Sequence, residues 1–351
     1  MKNYNKVIID KNFLKKVLSD RKDLAESLSR FVENSIIARR FLSTKDNPCE
    51  VRIQMFGDLI EITDNSGGVD PILTDKEIFR FGLNIGEEIS CLGIKKSLFE
   101  LGNEIKIFSN NEICSKEFIL DLKIDSVELY SDYKEIEFNS NMIEGTKINI
   151  SDLDKRVKDE IDNENNIKIT INKLGRIFSK FIQKNELILK VNSEIVKAND
   201  IIGQKVASGK LLENYEVDLF KALDGEVSGV DLFINDFMIY NRVKNNSFIR
   251  WNLLNHTKHR FGDCIVEVRY YGDKTNFELD QEKLITELIK FIKEHKGYFQ
   301  SKIITIQYEI EIDKVEALKE YYDEDTAKSI GIIAFTKLYE DYVNTINKKL
   351  Y

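Results

Sequence analysis

Residues 51–69, VRIQMFGDLIEITDNSGGV, constrain this chain more than any other stretch. The runs VRIQM and LIEIT alternate apolar and polar side chains around a Phe-Gly-Asp turn, so residues 51–63 predict a β-hairpin with one apolar face. That face needs a cover. Upstream, Leu24, Leu28, Phe31, Val32 and Ile36 recur at helical spacing, which predicts a helix over Leu24–Phe41 with one face in the core and the other free for chemistry. A helix laid on an antiparallel sheet makes an α+β layer. The polar, glycine-bearing stretch Asp64–Gly68 ends the second strand.

The rest of the chain continues in the same style. TDKEIFRFG predicts a short helix, and Ile94–Leu101 a second one with Gly102 as its C-cap. Strands are predicted at 104–109, 116–124, 127–138 and 145–151. The charged run DKRVKDEIDNENN marks a boundary. Beyond it we expect a helix at 168–183, a strand pair at 186–198 around Asn192-Ser193, and strands near 214–220 and 228–241. CIVEVRYY predicts another strand, and GDKTNFELD leads from it into an amphipathic helix from Gln281 to about His295. A strand at 302–312 and helices to Tyr351 finish the chain. At 351 residues there is room for two packed domains, expected at 1–160 and 165–312, followed by C-terminal helices at 313–351.

Composition excludes several classes. No run approaches about 18 apolar residues, and MKNYNKVIIDKNFLKK lacks the apolar centre of a signal peptide, so a soluble, cytoplasmic chain with no membrane partner is expected. Lys+Arg 52 against Asp+Glu 60 gives a net charge of −8, which leaves DNA open as a partner but does not point to it. Cys49, Cys91, Cys114 and Cys264 form no CxxC pair and read as reduced thiols. Trp251 with His256, Lys258, His259 and Arg260 has the residue types of a small nucleic-acid patch, but reads more simply as a solvated loop beside one buried indole.

The candidate chemistry lies in Glu33-Asn34-Ser35, on the free helix face, together with Asp64-Asn65-Ser66-Gly67-Gly68. A carboxylate at a strand end can accept a hydrogen bond from an exocyclic amine, and glycines after it let the backbone approach a flat ring. In this order the set resembles the GHKL ATPases (gyrase, heat-shock chaperones, histidine kinases and MutL). On that resemblance Asn34 corresponds to the Mg-binding Asn, and Asp64 with Gly68 to the adenine-binding DxGxG motif. Phe81-Gly82, Leu92-Gly93-Ile94-Lys95 and Leu101-Gly102-Asn103-Glu104-Ile105 are similar to the lid and phosphate-binding segment, which gives Gly93 and Lys95 nucleotide-binding roles. Gly145-Thr146-Lys147-Ile148 matches the GTxI strand whose Thr assists adenine recognition.

Over roughly 165–300 the pattern LILKVNSEIVKA, GVDLFINDFMIYNR and FGDCIVEVRYYGDKTNFELD resembles the transducer domain of the MORC-like branch. The implied architecture is a Bergerat ATP-binding sandwich followed by a second α/β, S5-like transducer domain. Lys274 takes the place of the loop lysine that reaches the γ-phosphate. The implied cofactors are ATP and Mg, and the implied action is a nucleotide-controlled switch or clamp with an ATP-dependent homodimer or a partner protein. Prokaryotic defence or DNA-associated work is what such kinship suggests.

Two departures bear on catalysis. The family's general base precedes the Mg-binding Asn by four residues, and here that position is Arg30. Glu33, the nearest carboxylate to Asn34 in the chain, is the candidate catalytic residue that would substitute as base, and Glu26 is spaced to pair with Arg30 at i,i+4. Cys91 stands where the phosphate loop usually has a glycine, and Ser66 replaces the middle glycine of DxGxG. The alternative reading is therefore a non-catalytic interaction protein on a degenerate GHKL fold.

Overall fold

The computed structural model describes residues 23–42, 46–79, 92–123, 130–136, 144–223, 226–244 and 263–299. The expectations for Phe81-Gly82, Cys91, the Trp251 loop, the strand at 302–312 and the helices at 313–351 lie outside the described residues.

The hairpin forms as its alternation demands. Strand β1 (Cys49–Phe56) pairs with β2 (Leu59–Asp64) from Val51↔Asp64 to Phe56↔Leu59, with Val51, Ile53, Ile60 and Ile62 turned into the core. Helix α1 (Leu24–Arg39) covers that face and starts where the Asp23 carboxylate accepts the Glu26 N–H at 3.0 Å. Its apolar stripe is buried as spaced, and Ser35 sits within the stripe at 1 % exposure.

A short helix α2 (Asp75–Ile78) and then α3 (Leu92–Leu101) follow, and α3 runs directly into β3 (Gly102–Asn110). Gly102 is thus the first residue of a strand, paired with Leu153, and not a helix cap. Strands β4 (Ser115–Asp121), β5 (Tyr130–Ile136) and β6 (Gly145–Leu153) complete the antiparallel part. The charged run expected to be a boundary is largely helical. Asp154 caps α4 (Lys155–Ile161) by accepting the Arg156 N–H at 3.1 Å, and Val157 and Ile161 anchor it. The helix expected at 168–183 is two, α5 (Glu164–Ile177) and α6 (Ser179–Gln183), meeting at buried Phe178.

Strand β7 (Leu187–Val191) then pairs parallel to β1, and β8 (Glu194–Ile195) pairs with it across the Asn192-Ser193 turn. The first sheet therefore has the order β5-β4-β3-β6-β2-β1-β7-β8 and takes in strands well past residue 160.

The second sheet contains β9 (Gly203–Leu212), β10 (Tyr215–Ala222), β11 (Gly229–Ile234), β12 (Phe237–Val243) and β13 (Cys264–Tyr270), in the order β12-β11-β13-β10-β9. The run expected near 228–241 is a hairpin turning on Asn235-Asp236, both at positive φ. Helix α7 (Lys274–Glu294) begins at Lys274 rather than Gln281, and buries Phe277, Leu284, Leu288 and Ile292 against this sheet's core.

The two sheets meet through α5 and α6. Arg176 bonds Asp231, Lys180 Nζ reaches Glu267 Oε1 at 2.7 Å, and the Arg40 guanidinium lies 5.7 Å and 5.5 Å from the Phe181 and Phe237 ring centres. The architecture is α+β, with helices covering large sheets. Among the described residues no helix is long and apolar enough to cross a membrane. Cys49, Cys114 and Cys264 are free thiols. Burial, and then the nearby charge of Asp64, pushes the Cys49 thiol up to about 12.

Candidate functional site

A cavity of about 760 Å³ opens between α1, the ends of β2 and β6, the 66–73 loop and α3. Its wall is mostly apolar, with Phe31, Ile62, Leu98, Ile107 and Ile148 among the lining residues. The polar lining is sparse and brings together Asn34, Ser35, Asp64, Ser66, Lys95 and Thr146, with Gly68 at the edge of the loop. An apolar pocket with a few convergent polar groups is the usual form of a small-molecule site.

Asp64 is the best-determined group in it. Being the last residue of β2, it lies beside Thr146 at the start of β6, because β2 and β6 are hydrogen-bonded neighbours. Gly145 makes that approach feasible: a Cβ there would fall 1.9 Å from the Asp64 carbonyl oxygen. Oδ1 of Asp64 accepts the Ser66 N–H at 2.9 Å, the Ser66 hydroxyl at 2.6 Å and the Thr146 N–H at 3.0 Å. Oδ2 accepts the Ser35 hydroxyl at 2.8 Å and the Thr146 hydroxyl at 2.5 Å.

The loop after Asp64 is pinned at both ends. Asn65 accepts the Glu50 N–H at 2.9 Å, and Arg39 Nη1 donates to the Asn65 carbonyl at 2.8 Å. Gly68 has φ +74°, and a Cβ on it would lie 2.7 Å from the Asn110 carbonyl, so no side chain fits there. Val69 then donates its N–H to Ser109 Oγ at 2.7 Å and accepts from the Asn111 amide at 2.9 Å.

The other residues proposed from sequence fall as follows. Asn34 lines the cavity half-buried, on the helix turn after Arg30. Lys95 is buried in the wall on α3, and Gly93 is the second residue of that helix, with the Arg30 stem against it. Glu33 is ion-paired to Arg30, Nη1 to Oε2 at 2.9 Å, so Arg30 turns forward along α1 and not back to Glu26. Lys274 is the first residue of α7, and its side chain lies outside the described residues. Asn103 and Glu104, read as part of a phosphate segment, hold β3 together: Asn103 Nδ2 donates to Asp152 Oδ2 at 2.8 Å, and Glu104 accepts from Lys123 and Ser151.

Ser35 and Ser66, quoted in the candidate stretches without a role of their own, gain importance here, and Ser35, expected on the free helix face, is instead buried in the apolar stripe. The available signal was a hydroxyl inside the apolar stripe of α1, four residues after Phe31. Among the described residues, no group of three or more His, Cys, Asp or Glu side chains is placed to hold a metal ion. The one candidate ligand, Asn34, suits a Mg²⁺ that takes its remaining ligands from phosphate and water. No protein-family model matches the chain, and no curated protein sequence matches it.

Proposed function

We propose that this chain is an ATP-binding protein of the GHKL type, MORC-like in its second, transducer-like half, and that it works as a nucleotide-controlled switch. The observation that carries the reading is the convergence of Asn34, Asp64, Gly68, Lys95 and Thr146, from four separate places in the chain, on one cavity. The apolar walls accept the faces of a purine, and the Asp64 carboxylate accepts its exocyclic amine. Thr146, bonded to the same carboxylate through its N–H and its hydroxyl, assists adenine recognition by holding that carboxylate in place, and Asn34 with Lys95 faces the anionic part of the ligand. When bound, Mg²⁺ would screen the triphosphate charge, with Asn34 as its protein ligand. Lys274, at the entrance to α7, is proposed to couple the γ-phosphate to the second sheet and thereby to favour one conformation, including a dimer.

The experiment is calorimetric titration of the full chain with Mg-ATP. Wild type is expected to bind and Asp64→Ala to lose binding, because an amine left without its acceptor in a closed pocket costs about 1–3 kcal/mol and the loop anchored on the carboxylate is released. Unchanged affinity in the variant would remove the basis of the reading.

A second reading, a non-catalytic module on the same fold, is favoured by the Arg30–Glu33 pair. A cation occupies the general-base position and claims the nearest carboxylate. We therefore expect ATP turnover to be slow or absent.

A further inference from the structure

We propose that Ser35 is a gate on the Asp64 site: its hydroxyl holds Oδ2 while the cavity is empty and yields that oxygen to a ligand's exocyclic amine by turning its proton to the Phe31 carbonyl. The proposal rests on the adenine-binding reading above and adds to it a residue that sets the strength of recognition.

The observation is a carboxylate with more donors than it can serve. An ionised carboxylate offers about four lone-pair sites, and Asp64 receives three donors on Oδ1 and two on Oδ2. Two of the donors on Oδ1 are backbone N–H groups fixed by the fold. Both donors on Oδ2 are hydroxyls, which rotate. An incoming amine therefore displaces a hydroxyl on Oδ2, and the displaced hydroxyl needs another acceptor, because an unpaired donor in a closed site costs about 1–3 kcal/mol.

Ser35 has that acceptor already in place. Its Oγ lies 2.8 Å from Asp64 Oδ2 and 3.0 Å from the Phe31 carbonyl one helical turn earlier, and a serine carries a single O–H proton. Turning it costs the difference between a bond to a charged acceptor and one to a neutral carbonyl. Among the described residues the Thr146 hydroxyl bonds only Asp64, which Thr146 also meets with its N–H, so it stays on the carboxylate while Ser35 turns away. Ser35 is 1 % exposed, so water does not compete for the gate.

The test compares wild type, Ser35→Ala and Asp64→Ala in the full chain by calorimetry. The probes are adenosine, ADP, and purine riboside, which lacks the amine. Removing the hydroxyl frees one of the two occupied positions on Oδ2 before the ligand arrives, so Ser35→Ala is expected to tighten adenosine and ADP alike by roughly three- to tenfold, the worth of about one net hydrogen bond. Purine riboside should not change. Ser35→Cys, whose thiol donates weakly, should shift adenosine the same way by less, and it serves if the alanine variant melts early. An unchanged or weaker adenosine affinity in a well-folded Ser35→Ala protein, with Asp64→Ala still inactive, overturns the gate and leaves the adenine site standing. Equal tightening of purine riboside overturns it as well, since added room and not a freed acceptor would be the cause. Failure of wild type to bind adenosine or ADP removes the adenine reading and the gate together.

Discussion

Asp64, half-buried, and Asp231, fully buried, are both acceptors on strands, and the chain satisfies them by opposite means. Asp231 is fully buried on β11, and Arg176 and Arg242 both bond its Oδ2 while the Arg242 N–H reaches Oδ1 at 2.8 Å. Asp64 faces a cavity and takes only neutral donors, hydroxyls and N–H groups. A guanidinium brought out of water cannot give up its carboxylate without a large penalty, whereas a hydroxyl can rotate to another acceptor. The difference separates a joint from a site. Arg176 comes from α5 and Arg242 from β12, so Asp231 rivets the helical layer to the second sheet.

Asp231→Ala breaks this comparison most severely. It leaves the nearly buried Arg176 with the Asn199 carbonyl and no carboxylate, and Arg242 with Glu226 alone, and unfolding by urea should show a loss of about 3–5 kcal/mol. A loss under about 1 kcal/mol, the level of an exposed pair, would erase the contrast. Asp64→Ala releases only neutral donors, so its expected stability loss in the same assay is smaller, about 1–3 kcal/mol, while ligand binding disappears.

Acid sharpens the comparison from the other side. Burial on its own would raise the Asp218 carboxyl, but donors from Lys205, Ser208 and Arg269 outweigh it and hold it below the ordinary range. A carboxyl depressed in the folded state stabilises above its unfolded value of about 3.9, and that stability is lost as pH falls through the folded value. Wild type should therefore lose stability below about pH 4 with a steepness that Asp218→Asn reduces by up to about 1.4 kcal/mol per pH unit. Equal slopes would mean that the carboxyl carries no linkage.

The smallest structural effect belongs to the Arg30–Glu33 pair, whose side chains are 39 % and 22 % exposed. Glu33→Gln should change stability by less than about 1 kcal/mol. It should also leave ATP turnover at the low wild-type level in a phosphate-release assay. Robust wild-type hydrolysis that this variant abolishes would instead make Glu33 the base.

Much of the site was legible because its signals are local. The alternation of 51–63, the glycines after Asp64 and the stripe of α1 each depend on neighbours within a few residues. Where local signals were weak or conflicting, the reading strayed. Helix α4 shows only Val157 and Ile161 as apolar anchors in a charged run and so passed for a boundary. Helix α7 begins right after Asp273, a residue type that suits a helix start, but the preceding Gly272-Asp273 looked like an open loop. Strand β9 is largely polar and half-exposed and left no periodic trace to read.

The sequence by itself determined that a helix would cover a hairpin ending in Asp64, because period-2 and period-3.6 burial are properties of the local chain. Only the tertiary structure decided that β7 would pair with β1 across residues 49 and 187, since parallel pairing at that separation leaves no local mark. It alone decided that hydroxyls from residues 35, 66 and 146 would converge on one carboxylate, because three distant segments meet there only when the first sheet closes.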